Sequence, residues 1–311
     1  MLRQAFLYLS NQPQIFHFVK RNALARKFAS RFVAGETLDD AVRAVRALNQ
    51  RGITASLDLL GESVRNEGEA RAAAQEYLHI LDRIHEEKLR STVSVKLTAM
   101  GLDISEDLCV ANMSTILDRA RDYQSFVRLD MEGSAYTGRT MHLFEDRLYP
   151  RYPESVGIVL QSYLYRTQAD VEQAVRLKCR VRLCKGAYQE PPTVAYPAKK
   201  DVDTSYVRAM ETLMLNGNYP GIATHDEAII ARAKSLARER QIATERFEFQ
   251  MLYGVRRDLQ EQLVREGYNM RVYVPFGTQW YPYLMRRLAE RPANVAFITG
   301  NVMREMMGGR R

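Results

Sequence analysis

Cysteine is scarce in this chain: Cys109, Cys179 and Cys184 are the only three in 311 residues, and no two form a CxxC pair. That count and spacing argue against a disulfide frame and the common zinc sites, and free thiols suit a reducing compartment. No apolar run approaches the roughly 18 residues that a bilayer span requires. No two glycines lie two apart, so the GxGxxG turn of a Rossmann site is missing. Gly133, Gly138, Arg139 and Thr140 have Walker A spacing, but Arg stands where the phosphate-binding Lys belongs, which argues against a P-loop. HExxH, GxSxG and internal repeats are absent as well.

Acidic residues are missing from one place only. Residues 1–35 carry Arg3, Lys20, Arg21, Arg26, Lys27 and Arg31 with no Asp or Glu, so they hold six of the eight net positive charges. A nucleic-acid protein spreads basic surface through its fold, so no nucleic-acid partner is expected. With Phe6, Phe16, Phe18 and Phe28, the basic start suits peripheral contact with an anionic membrane face. A processed targeting segment and helices that merely cover the fold remain open beside that reading.

From Gly52 onward short apolar strands alternate with longer helical stretches. The strands read as 53–60, 92–97, 126–131, 157–160, 180–184, 221–224, 247–252 and 270–274. Helical patterns fill 69–87, 105–123, 168–178, 204–215, 227–240 and 256–266. Such alternation implies parallel pairing, and eight units in about 250 residues suit a closed (β/α)8 barrel. An open doubly wound sheet is the competitor. The expected organisation is an N-terminal helical segment at 1–50, a barrel at 51–298 and a tail at 299–311.

Chemistry in such a barrel gathers at the carboxyl ends of the strands. Those ends carry Lys96, Asp130, Glu132, Gln161, Arg182, Lys185-Gly186-Ala187-Tyr188, Thr224-His225-Asp226, Gln250 and Tyr273. Singly each has a structural explanation: Lys96 pairing with Asp130, or His225 capping the next helix. Together they require an anionic ligand, since buried ions are costly unless paired. After the last strand, which Pro275 and Gly277 are expected to end, Thr278 could cap a helix of two faces. Tyr281, Leu284, Met285 and Leu288 form its apolar stripe, and Tyr283, Arg286, Arg287 and Glu290 the opposite face. Read alone, that second face is either a solvated surface or a two-guanidinium clamp for a small carboxylate.

The blocks SVKLTAMG, RLDMEG, VLQSYL, VRLCKGAY, ATHD, FQMLYG, RVYVPFGT and YLMRRLAE resemble, in order and spacing, those of FAD-dependent proline dehydrogenases. The resemblance covers residues 50–298 and implies a distorted barrel whose last helix lies over the mouth. It implies that Lys96, Arg286 and Arg287 hold the carboxylate of L-proline. Tyr273, Tyr283 and Leu252 would wall its ring, with Asp130 orienting its neighbours. Arg182 would reach the flavin near N5. Lys185, Gly186, Ala187, Tyr188, Gln161, Thr224, His225 and Gln250 would contact other parts of FAD, and Glu290 would fix the arginine-bearing helix at the cofactor. The implied reaction yields Δ1-pyrroline-5-carboxylate, with hydride passing to the flavin. Electrons would go on to a quinone or another acceptor, and the product to a separate pyrroline-5-carboxylate dehydrogenase. No metal is expected, and the setting is cytoplasmic or on the inner membrane face. Hydroxyproline dehydrogenase, a Schiff-base lyase using Lys96 or Lys185, and a non-catalytic acid binder are the alternatives.

Overall fold

The computed structural model describes residues 30–61 and 64–290, the side chains of 286–290 excepted. Among them the strands β1 (Thr54–Leu59), β2 (Ser91–Lys96), β3 (Val127–Asp130), β4 (Val156–Gln161), β5 (Arg180–Cys184), β6 (Asn218–Ala223), β7 (Glu248–Leu252) and β8 (Asn269–Phe276) pair in chain order. All pairings are parallel, and β8 closes on β1 through Ala55 opposite Val272. The open-sheet alternative is thereby excluded.

The helices are α1 (Leu38–Asn49), α2 (Glu67–Glu86), α3 (Glu106–Asp122), α4 (Ser134–His142), α5 (Thr167–Leu177), α6 (Lys199–Asn216), α7 (Glu227–Glu239), α8 (Arg257–Arg265) and α9 (Trp280–Glu290). Their starts are written locally. Thr37 and Asp40 make a reciprocal capping box on α1. Asn66 and Ser105 accept from the third residues of α2 and α3.

Period-two alternation decides what the barrel encloses. In β2, Val93 and Val95 are fully buried under the helical ring while Thr92, Ser94 and Lys96 alternate with them. Leu57, Leu129, Ile158, Leu183, Phe249 and Val272 take the same outward side. Each such apolar side chain contributes roughly 1.5–3 kcal/mol through burial. The other side of nearly every strand is polar, so this interior departs from the branched apolar layers usual in such barrels.

Several boundaries differ from expectation. β8 does not stop at Val274: Pro275 and Phe276 pair with Asp58 and Leu59, and the Pro275 carbonyl, which proline keeps, accepts from Ala34 N (2.9 Å). Gly277, at φ 119°, makes the break. α6 starts five residues before the expected 204, and β6 begins at Asn218. Helix α4 was not expected, and it absorbs the Walker-like spacing. There Arg139 Nη2 donates to Leu102 O (2.6 Å) and its guanidinium pairs with Asp103 and Glu106, a structural tie.

The surface-helix reading of α9 does not hold over its first turns. Trp280, Tyr281, Tyr283 and Leu284 are all buried, packing with Val33 and Leu60 just past the end of β1. Trp280 Nε1 donates to Glu36 Oε1 (2.9 Å). Leu60 N in turn donates to Phe276 O, so α9 departs from the carboxyl end of the barrel. Residues 1–29 and 291–311 lie outside the described residues, as do the side chains of Arg286, Arg287, Leu288 and Glu290. No helix among the described residues is long and apolar enough to cross a membrane.

Candidate active site

Arg182 is the hub. Its guanidinium crosses the barrel from β5 and donates to Gln250 Oε1 (2.6 Å), Asp130 Oδ1 (2.6 Å), Ser94 Oγ (3.1 Å) and Ser56 Oγ (3.4 Å). Those partners come from four other strands, so one side chain ties β5 to β1, β2, β3 and β7. Above it lies the ring of Tyr273, 5.2 Å from the guanidinium carbon. Tyr273 Oη donates to the second oxygen of Asp130 (2.7 Å). Burial, and then the Asp130 charge, hold the phenol well above its usual pKa, so it stays a donor.

Lys96 does not pair with Asp130 as the structural alternative expected. Its Nζ donates to Asp58 Oδ1 (2.9 Å), because Arg182 and Tyr273 already occupy both Asp130 oxygens. Asp58 was missed in the sequence, although a lone carboxylate inside the apolar run ASLDLL was a readable signal. It is 1 % exposed, and its Oδ2 has no hydrogen-bond partner. Burial foremost, then the Asp130 charge, raise its pKa against the opposing pull of Lys96.

A stability prediction follows from that pair. Lys96→Met strands a buried carboxylate and should cost about 3–5 kcal/mol at neutral pH, read by urea unfolding. A carboxyl whose folded pKa exceeds its unfolded value binds protons more readily when folded. Its penalty is therefore absent below the unfolded pKa and grows as pH rises through the folded one. The Lys96→Met deficit should shrink on acidification, and Asp58→Asn in the same chain should largely remove it. A deficit independent of pH and of residue 58 would refute the pairing.

At the other side of the mouth Lys185 Nζ donates to Asp203 Oδ1 (2.6 Å) and Asp226 Oδ2 (2.8 Å). Hydrogen bonding from Lys185 holds Asp226 below its usual pKa. Asp203 is lowered too: burial would raise it, but Lys185 and Lys199 outweigh that. A cleft of about 690 Å³ adjoins this cluster between α6 and α7, lined by Lys199, Lys200 and Arg208 together with Asp203, Glu211 and Asp226. His225 does not cap α7. Asp226 does, accepting from Ala228 N (3.1 Å), which leaves His225 Nε2 to accept from Leu252 N (3.0 Å). His225 thus ties the end of β6 to the end of β7, beside Thr224, whose hydroxyl accepts from Asp226 N (3.1 Å).

Gly186 sits at φ 109° against the face of Tyr163, where a Cβ would collide with the ring. That flat approach turns the Lys185–Tyr188 segment along β4, with Tyr163 N donating to Lys185 O (3.0 Å). Near it Gln161, at the end of β4, is 4 % exposed and its Oε1 has no hydrogen-bond partner. A buried amide oxygen left orphaned costs about 1–3 kcal/mol, so it marks a place where a ligand donor belongs. Ala187 and Tyr188 follow, half-buried, and Leu252 stands opposite Tyr273 in the β7–β8 ladder. The described residues therefore bring Lys96, Asp130, Arg182, Gln161, Lys185, Gly186, Thr224, His225, Gln250, Leu252 and Tyr273 to one end of the barrel. They hold no His, Cys, Asp and Glu cluster suited to a metal.

A closed parallel barrel with charged and hydrogen-bonding groups converging on its carboxyl end defines a (β/α)8 enzyme. The sequence matches the family described as "Proline dehydrogenase" over residues 41–300. It is 43 % identical over 305 residues to "Proline dehydrogenase 1" of Bacillus subtilis (strain 168), covering 98 % of this chain and 100 % of that one. "Proline dehydrogenase" of Deinococcus radiodurans is 40 % identical over 307 residues, covering 98 % of each chain. A crystal structure of proline utilization A (PutA) from Bdellovibrio bacteriovorus, inactivated by N-propargylglycine, superposes with TM-score 0.81 at 26 % identity. That match covers 89 % of this chain but only 34 % of the PutA chain, so this protein spans about a third of it. The chain belongs to the proline dehydrogenase family, oxidoreductases that act on proline.

Proposed function

We propose that this protein oxidises L-proline to Δ1-pyrroline-5-carboxylate at the carboxyl end of its barrel, with FAD as the electron acceptor. The observation that carries the proposal is Arg182 locked to Asp130, Gln250, Ser94 and Ser56 beneath Tyr273. One buried network thereby joins the residues expected at the flavin to those expected at the substrate. The residues present fit the cofactor: Gln161 Oε1 is an acceptor awaiting a donor, and the isoalloxazine carries an N–H. Gln161, Arg182, Lys185, Gly186, Ala187, Tyr188, Thr224, His225, Gln250 and Glu290 would hold it. Bound there, FAD supplies the acceptor for the hydride that leaves the ring carbon next to nitrogen.

The chain's own groups do the rest. Arg286, Arg287 and Lys96 grip the substrate carboxylate, which fixes the ring and converts binding into proximity. These cations also disfavour a proton on the ring nitrogen, so the amine reacts neutral and its proton passes to solvent. Arg182 cannot turn away, because four partners hold it, and its charge favours the electron density gained by the acceptor. Tyr273, Tyr283 and Leu252 wall the ring, and α9 excludes water above them. An acceptor such as a membrane quinone then reoxidises the site, and a separate pyrroline-5-carboxylate dehydrogenase takes the product.

L-proline should drive reduction of an artificial electron-accepting dye by the purified protein, and borohydride with substrate should leave that activity intact. Trapping of a substrate adduct on Lys96 or Lys185 would instead establish a Schiff-base lyase. Tyr273 bears on specificity, since its ring fills the space that a substituent on proline needs. Tyr273→Ser should raise kcat/KM for hydroxyproline relative to proline about tenfold or more, a shift of about 1.4 kcal/mol. An unchanged ratio would remove Tyr273 from the substrate wall.

A further inference from the structure

The floor of the barrel, at the amino ends of the strands, holds more positive charge than its carboxylates balance. A small cavity of about 30 Å³, partly open at one side, lies there, and Arg128, Arg180, Arg182 and Arg271 line it against one carboxylate, Glu248. That carboxylate is taken: Arg271 Nε donates to it (2.7 Å), as do Gln250 Nε2 (2.6 Å) and Tyr219 Oη (3.2 Å). Arg182 has Asp130. Arg128 and Arg180 form no ion pair among the described residues. Arg128, 5 % exposed, donates only to the main-chain oxygens of Ile158 and Arg180. Both guanidinium groups stack on Phe126, at 4.8 and 5.1 Å, and Arg180 also faces Tyr219.

A buried guanidinium such as that of Arg128 is expensive without an anion, and a second, half-buried one beside it adds like-charge repulsion. The fold nonetheless makes room for them. Gly157 in β4 has no Cβ, and one built there would stand 2.7 Å from Arg128 Nη1 and from Phe126 Cζ. Burial first, then the neighbouring Arg182, push the Arg128 guanidinium down to about 9, so it remains cationic at neutral pH.

We infer that this floor cavity binds one monovalent inorganic anion of halide size, held by Arg128 and Arg180 beneath the catalytic network. A space this small suits a chloride or bromide ion better than sulfate, phosphate or an organic acid. The anion supplies the negative charge that Glu248 alone does not, and Arg180, half-buried at the rim, is the side chain past which it enters.

The flavin-loaded protein should be melted in chloride and in gluconate at matched ionic strength. Tm should rise by a few degrees with chloride and saturate, as binding to the folded state alone requires. Arg180→Gln and Arg128→Met should each abolish that rise. Crystals soaked in bromide should show anomalous scattering in the cavity between the two guanidinium groups. Should Arg128→Met fail to fold, Arg180→Gln and the bromide map decide. Equal melting in the two salts, a rise that never saturates or that survives in Arg180→Gln, or a cavity without bromide would each overturn the proposal.

Discussion

Replacing Arg286 or Arg287 by Met is expected to raise the KM for L-proline at least 30-fold while the protein keeps its flavin. Removing one member of a hydrogen-bonded charge pair at a closed site costs about 2–5 kcal/mol, much of it from the partner left unpaired. The magnitude rests on geometry as well as charge, since two guanidinium forks can grip a carboxylate bidentately. Helical spacing sets Arg286 and Arg287 three and four residues after Tyr283, and Tyr283 is 5 % exposed, not on a solvated face. Lys at either position should recover only part of the affinity. Steady-state kinetics with proline, beside a flavin absorbance ratio, checks both halves of the expectation. Unchanged proline kinetics in both Met variants would remove the clamp from the mechanism.

Arg182→Met should be the most damaging substitution in the barrel. It deletes four hydrogen bonds and leaves Asp130, itself 9 % exposed, with only the Tyr273 hydroxyl. Breaking a buried pair from one side costs about 3–5 kcal/mol, whereas replacing both members is often nearly neutral. The double variant Arg182→Met/Asp130→Asn should therefore regain most of the lost stability in urea unfolding. Turnover should not return with it, because the positive charge that favours electron transfer is still missing. Recovery of both stability and turnover would show that Arg182 is structural only. Failure to recover either would mean that Asp130 is not its principal counter-ion.

How much of this was legible follows the period of each element. Strand–helix alternation gave the barrel, because both faces of each strand are covered and the helical repeats are long. The strand ends gave Lys96, Asp130, Gln161 and Tyr273, which the fold does gather at one mouth. Pairing inside the barrel was not legible, since partners such as Lys96 and Asp58 are 38 residues apart and depend on register across β1 and β2. Asp58, Ser56 and Ser94 were within reach, because polar residues alternating with buried Leu57, Val93 and Val95 must face inward. Pro275 misled for a simple reason: its missing N–H falls where no bond is needed and its carbonyl is still used. His225 and Asp226 exchanged the expected capping role, a choice between neighbours that sequence spacing cannot make.

The claim on which the rest depends is that the polar ring at the strand ends seats a flavin that takes electrons from proline. The visible absorption spectrum of the purified protein, recorded anaerobically before and after L-proline, tests it most directly. Flavin bands should be present in the resting protein, bleach when proline is added and return on exposure to an electron acceptor. A protein that binds no flavin after reconstitution, or whose flavin bands stay unchanged under saturating proline, would contradict it.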